Sequence, residues 1–406
     1  MSTGVCVINR NGIALAADSA GTYTSDTGSK MFYNSMDKVF SLSDKNICGA
    51  IAYGNMSLYN VSVDQLLGEF KQYIDSQPAF DDLFDIWTQF QIFIKEKYEY
   101  YKFDEAEEKY CQGLFRTVIN TWGNRIKNVI SCADANIQIG SILDDLRIYI
   151  APTDKVPGFD IVQYLQKEYI GIYQQEIDAV VPELKQHTDL YNRFGELLCE
   201  YFHLVLQQES QHVTGIFFAG YGKKDAFPKC LHIEIHKLFK DNVKFIEKKR
   251  FVGNGINSEI IPLAQREVIY TFCRGISSEF IKSIPEKANE LVMAQIDALS
   301  SADFSDEQKA KLKNELNKCK KQISDAIYAE IQSDNVQPII DSVKLIALPE
   351  MAFLAESLVN ITTLKRTYAL DGQQQTVGGP TDVAVLSKAG GFSWIKQKHG
   401  ISRSYQ

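Results

Sequence analysis

A chain of 406 residues with 45% hydrophobic and 23% charged residues is long enough for one large or two ordinary domains around a sizeable core. Its net charge of −8, with no dense Lys/Arg stripe, argues against nucleic acid as a partner. No stretch approaches the roughly 18 consecutive apolar residues of a membrane-spanning helix, and the N-terminus lacks the basic start and apolar run of a secretory signal. The expectation is a cytoplasmic protein with no membrane partner. The eight cysteines are scattered without a Cys-x-x-Cys pair, which suits reduced thiols and disfavours a zinc site; no metal and no cofactor are expected.

Residues 3–8 (TGVCVI) read as a strand that begins almost at the first residue, and 13–17 (IALAA) as a second, nearly all apolar one covered on both faces. Asn11-Gly12 between them is a hairpin signal, because both residues tolerate positive φ. The second strand stops at Asp18, and 19–30 read as a polar loop. Lys38–Leu42 and Ile47–Ala52 follow as two short strands around a turn at 43–46. From about 59 the period changes: Val63, Leu66, Leu67, Phe70 and Ile74 have helical spacing. Helices are expected to about 130, a strand within 140–160 (IGSILDDLRIYIAP), and helices again over 160–210.

Strand character returns at 213–220, 230–237 and 243–252, and helix is expected from 258. Ser305 with Gln308 forms a capping box for a helix whose face is marked by Leu312, Leu316, Cys319, Ile323 and Ile327. A helix over 351–366 precedes the closing strands 381–388 and 392–398. Strands segregate from helices instead of alternating singly, which predicts an α+β fold with antiparallel sheets.

Several motifs have plain structural readings. His232, Glu234 and His236 share one face of a strand; a solvent-facing polar stripe opposite Leu231, Ile233 and Ile235 outweighs a metal site. Gly220 and Gly222 lack the phosphate-loop pattern and suit a turn. The Lys-rich run at 309–321 reads as the wet face of a helix. The aromatic cluster at 97–103 suits packing, within the chain or against a neighbour.

The chemistry concentrates in Ser2, Asp18 and Lys38. Removal of Met1, which a small second residue favours, gives Ser2 a free α-amine with a pKa near 8 in peptides. One residue then holds a hydroxyl nucleophile and its own base. A nearby ammonium lowers the pKa of that amine and keeps it neutral, and a carboxylate positions the ammonium. Lys38 and Asp18, at a strand start and a strand end, suit these tasks.

Residues 2–56 resemble the N-terminus of a proteasome β-type subunit, an N-terminal-nucleophile (Ntn) hydrolase. There a catalytic residue opens the first strand, an acid follows a small apolar run (ALAADS here), and a lysine enters a KVF-like strand (Asp37-Lys38-Val39-Phe40). Counting back without gaps from Asp18 puts Ser2, not Thr3, at the nucleophile, where the family usually has threonine. Ala52-Tyr53-Gly54-Asn55 resembles the oxyanion-stabilising segment, with Gly54 as the N–H donor and Tyr53 its neighbour in the alternative register.

FFAGYGKKDAFPKCLHIEI resembles the paired central strands. VGNGINSE resembles a GSGS turn ahead of a helix, with Asn254 at a supporting position. In QQQTVGGPTDVAVL the supporting Asp and Ser are replaced by Gln374 and Val377, with Asp371 and Thr376 close by as substitutes.

The resemblance covers 2–58, 213–270 and 348–398, and implies a single 2–406 domain, a bacterial or archaeal proteasome-related type in which 59–212 and 275–347 are mainly helical elaborations. It implies a four-layer αββα sandwich, peptide or protein substrates, a homo-oligomer that forms a ring, and by analogy an ATPase unfoldase as partner. The alternatives are a non-catalytic scaffold subunit of the same fold and an amidase on a small-molecule amide.

Overall fold

The computed structural model describes residues 2–24, 30–150, 160–207, 213–240, 242–253, 257–298, 305–368 and 377–398. The chain opens with β1 (Thr3–Asn9) and β2 (Gly12–Ala17), buried at every residue. Asn9 pairs with Gly12, so Arg10 and Asn11 form the turn in place of Asn11-Gly12. The reason is Asn9: its Oδ1 accepts the Asn11 N–H at 2.8 Å, and its Nδ2 donates to the carbonyls of Val343 (2.7 Å) and Ile346 (3.0 Å).

Then come β3 (Gly21–Thr24) and β4 (Lys30–Tyr33), a two-stranded ribbon that lies within and beyond the expected loop. β5 (Val39–Ser41), β6 (Ile47–Gly54) and the short β7 (Ser57–Leu58) and β8 (Val61–Ser62) follow. Ser62 Oγ accepts the Gln65 N–H and starts α1 (Val63–Ser76), which leads to α2 (Asp85–Glu96). Helices α3 (Phe103–Val129), α4 (Ala135–Ile150), α5 (Ile161–Glu168), α6 (Ile170–Val180) and α7 (Thr188–Gln207) follow. The strand expected within 140–160 is a helix as far as 150, and 151–159 lie outside the described residues. Ile139, Ile142, Leu143, Leu146 and Ile150 are its buried face, spaced by three and four residues as one helix stripe requires.

The second half runs β9 (Thr214–Tyr221), β10 (Lys229–Phe239), β11 (Asn242–Val252), β12 (Glu259–Ala264), α8 (Glu267–Arg274), α9 (Ser278–Ala298), α10 (Asp306–Ile331), α11 (Gln337–Leu345), α12 (Leu348–Tyr368), β13 (Asp382–Ser387) and β14 (Gly391–Lys396). Residues 259–264 were expected to be helical and are strand β12, so VGNGINSE leads into a strand. β12 carries Pro262, which a central strand rejects; β12 is the edge of its sheet, where a missing N–H breaks no ladder. The Ser305–Gln308 capping box of α10 is present. The stripe assigned to its buried face packs only in part, since Leu312 and Ile323 are largely exposed and Cys319 is exposed.

The strands form two five-stranded antiparallel sheets, ordered β12-β1-β2-β13-β14 and β11-β10-β9-β6-β5. Alternation along the strands sorts the core. Val5, Val7, Ala14 and Ala16 join Ile269, Val343, Met351 and Val359 of α8, α11 and α12. Cys6, Ile8, Ile13 and Leu15 instead join Ile51, Tyr53, Phe217 and Cys230 of the other sheet. The opposite face of that second sheet, with Ala50, Ala52, Phe218 and Ile233, meets α1 and α2 through Phe70, Phe90 and Phe93. Each of these fully buried rings stabilises the helix–sheet contact by about 2–3 kcal/mol. Helices α3–α7 enclose a cluster of their own that includes Phe239 of β10.

The expected solvent-facing stripe on β10 is buried: His232, Glu234 and His236 are 3%, 8% and 8% exposed. β10 is an inner strand with Leu231, Ile233 and Ile235 in the α1/α2 cluster, so Cys230 and His232 turn to the other face, where His232 meets Tyr53 and Phe217 of the inter-sheet core; at His236 the register against β11 shifts. Tyr98, Tyr101 and Phe103 of the aromatic cluster are buried in the same α1/α2 cluster. Among the described residues no helix is long and apolar enough to cross a membrane.

Candidate active site

Ser2 lies one residue ahead of β1, and its carbonyl accepts the Gln265 N–H at 3.1 Å, so the pairing with β12 continues to the chain start. Strand parity then separates the first two hydroxyls. Cys6 and Ile8 face the space between the sheets, and Ser2 shares their parity; Thr3 shares that of Val5 and Val7, which face the helices. Ser2 is buried, and the buried Thr3 Oγ1 has no hydrogen-bond partner.

Asp18 follows β2 directly opposite this start, with its N–H donating to the Thr3 carbonyl at 3.2 Å. Its Oδ1 accepts the Thr3 N–H at 2.9 Å and the Lys38 ammonium at 2.6 Å, and its Oδ2 accepts the N–H groups of Gly378 (3.1 Å) and Ala20 (3.3 Å). Lys38 arrives from the second sheet, just before β5, and its carbonyl accepts the Ala52 N–H at 2.8 Å. Both members of the ion pair are withdrawn from water. Such a pair persists only when the remaining oxygens are satisfied, which the three N–H donors to Asp18 achieve.

Burial is the strongest influence on Lys38 and pulls its ammonium below the usual lysine value; Asp18 opposes the shift, and the nearby Lys398 adds to it. Lys398 is itself pinned. Its Nζ donates to the Met36 carbonyl at 2.6 Å and pairs with Asp382 and Asp37 at 2.8 Å each. The residues just before Lys38 are therefore clamped by the segment that follows β14. Sequence reading missed Lys398, Asp382 and Gly378. Gly378 lies within QQQTVGGPTDVAVL, but nothing local shows that its N–H reaches a carboxylate 360 residues away.

Gly54 ends β6, two residues past Ala52, the residue bonded to Lys38. It is exposed, with φ +83°, and a Cβ there would sit 2.2 Å from the Val213 carbonyl oxygen, so glycine is required. The structure thus joins Asp18 to Lys38 and to the backbone of Thr3, next to Ser2, and puts Gly54 on the strand that pairs with Lys38's segment. Asn254, Asp371, Thr376 and Gln374 lie outside the described residues, and Val377 is buried. Among the described residues no group of three His, Cys, Asp or Glu side chains could hold a metal ion.

Beside Gly54, Tyr53 meets the buried pair His232 and Glu234. Burial pushes the His232 pKa down to about 4, with Arg266, Lys248 and Lys249 adding to the fall and Glu234 opposing it. An unfolded chain protonates this histidine near pH 6.5, whereas the folded protein resists until about 4. Stability contributed by the neutral ring is therefore present above pH 6.5, declines as pH falls through this window, and levels off below it. The expected loss by pH 4 is on the order of 3 kcal/mol. Urea unfolding from pH 7 to pH 4 should show a shallower decline for His232→Gln; parallel curves for the two proteins would refute the assignment.

Compared with known proteins, the chain matches no protein-family model and no curated sequence.

Proposed function

We propose that this protein is a proteasome-like Ntn hydrolase that cleaves amide bonds with Ser2 as nucleophile. The observation that carries the reading is the Lys38–Asp18 pair, buried in full, with its carboxylate also holding the backbone of the residue after Ser2. The two sheets, one carrying α8, α11 and α12 and the other α1 and α2, support the finer reading of a four-layer αββα sandwich, in which α1, α2 and α11 come from the ranges 59–212 and 275–347 that the resemblance treats as elaborations.

In the proposed reaction Met1 is removed first. Ser2 Oγ then attacks the substrate carbonyl carbon, and its proton passes to the α-amine of Ser2. The Gly54 N–H stabilises the oxyanion. The α-amine returns the proton to the leaving amine as the C–N bond breaks, leaving an ester on Ser2. Water activated by the same amine hydrolyses that ester. The Lys38 ammonium beside the site keeps the α-amine neutral and so able to act as base, while Asp18 orients Lys38.

Intact mass before and after treatment with an electrophilic peptide tests the proposal. The expected result is a chain lacking Met1 that gains one adduct, mapped to Ser2. A chain that keeps Met1 and takes no adduct would overturn it.

A second reading, a non-catalytic scaffold of the same fold, has one observation in its favour. Val377, where the resemblance implies a serine that supports the α-amine, is apolar and buried. By either reading the protein assembles with copies of itself in a ring, and in the catalytic one the ring confines peptide or protein substrates.

A further inference from the structure

Tyr53, Gly215 and Glu234 occupy one row across three neighbouring strands. Tyr53 pairs with Gly215 between β6 and β9, and Glu234 pairs with Gly215 between β10 and β9. A methyl on Gly215 would sit 2.2 Å from Tyr53 Cζ, so the absence of a side chain there lets the ring lie across β9. The ring delivers its hydroxyl to β10, 2.7 Å from His232 Nε2 and 2.8 Å from Glu234 Oε1.

A carboxylate only accepts, so the Tyr53 hydroxyl donates to Glu234, and His232 donates its Nε2–H to the tyrosine oxygen. Glu234 is held in turn by Lys248 Nζ, 2.9 Å from Oε2, and by Arg266, whose guanidinium lies 3.6 Å from Oε1. Arg266 follows Gln265, the residue whose N–H holds the Ser2 carbonyl. A chain of polar contacts, buried at its centre, thus runs from the neighbour of Gly54 to the neighbour of the residue that holds Ser2.

We propose that Tyr53 is a positioning residue whose hydroxyl, held by His232 and Glu234, fixes the Gly54 end of β6 relative to the Gln265–Arg266 segment and so sets the spacing between oxyanion donor and nucleophile. The catalytic use of this tie rests on the hydrolase reading; the tie itself does not. The need for it is physical. Gly54 is exposed, ends its strand and has a left-handed backbone; β9 holds the next residue through the Asn55 N–H and carbonyl, but those bonds do not reach the Gln265–Arg266 segment. Catalysis by a fixed N–H donor is sensitive to displacements of an ångström or less.

Tyr53→Phe keeps the ring over Gly215 and deletes only the hydroxyl. On a fluorogenic peptide amide, kcat should fall about tenfold while KM stays within about twofold, because ground-state binding does not use the oxyanion donor. Amide hydrogen exchange should accelerate at Asn55, whose N–H bonds the Val213 carbonyl, and at Gln265, whose N–H bonds the Ser2 carbonyl, together and by about fivefold, with β2 and α12 unchanged. Glu234→Gln, which keeps an accepting oxygen, should retain more of both properties than Glu234→Ala, and it serves as the test if Tyr53→Phe does not fold.

A Tyr53→Phe protein with kcat within about twofold of the parent would overturn the kinetic role. Faster exchange at Asn55 without a change at Gln265 would overturn the tie. A parent protein with neither hydrolysis nor labelling of Ser2 would instead overturn the hydrolase reading and the kinetic role with it, and the exchange measurement would still decide whether the tie exists.

Discussion

Ser2→Ala is expected to lower peptide hydrolysis by about a thousandfold or more, and to abolish labelling by hydroxyl-directed electrophiles, since loss of a nucleophile removes the covalent route altogether. The informative comparison is Thr3→Val. Thr3 sits one position along the same strand, and its parity turns it toward the helices instead of the space between the sheets. Thr3→Val should therefore retain hydrolysis, and Ser2→Thr, which restores an hydroxyl, should recover part of it. Initial rates with a fluorogenic peptide, checked by intact mass for removal of Met1, measure all three. Full hydrolysis by Ser2→Ala, or its loss in Thr3→Val with Ser2 intact, would move the nucleophile elsewhere.

The second large effect concerns stability. Lys38→Met should destabilise the fold by about 3–5 kcal/mol, because it leaves the Asp18 carboxylate buried without its cation. Asp18 also accepts three backbone N–H groups, from Thr3, Ala20 and Gly378. The damage should therefore spread to the chain start and the Gly378 turn. Combining Lys38→Met with Asp18→Asn removes the stranded charge and keeps one oxygen for the Ala20 and Gly378 N–H groups at the expense of the Thr3 N–H, so the double variant should be more stable than Lys38→Met alone, though not fully restored. Urea denaturation of the parent, both single variants and the pair forms a double-mutant cycle that reads the coupling directly. A loss below about 1 kcal/mol for Lys38→Met would mean that the pair behaves as an exposed one.

The two expectations are independent. A stable Ser2→Ala protein without activity, beside an unstable Lys38→Met protein, would separate the nucleophile from its support. Loss of activity in Lys38→Met alone would not, since an unfolded site is silent for trivial reasons.

What the sequence determined by itself was local. Alternation and apolar runs marked β1, β2, β9, β10 and β13, a Ser–Gln pair marked the start of α10, and Ser2, Asp18 and Lys38 were visible through type, spacing and position in the chain. The strand and helix signals are carried by residues within a few positions of one another, where periodicity and capping act; the three site residues were linked by their types and by their places at strand ends. Tertiary structure decided the rest. Residues 140–150 became a helix because one stripe of isoleucines and leucines found a helical cluster to enter, and 259–264 became a strand, proline included, because β1 offered it an edge. His232 and Glu234 were buried because Tyr53 reaches across β9 to both and Lys248 and Arg266 close over Glu234, and Gly378 and Lys398 reached the site from the far end of the chain. Alternating polarity states only that two faces of a strand differ; what covers each face depends on contacts hundreds of residues apart.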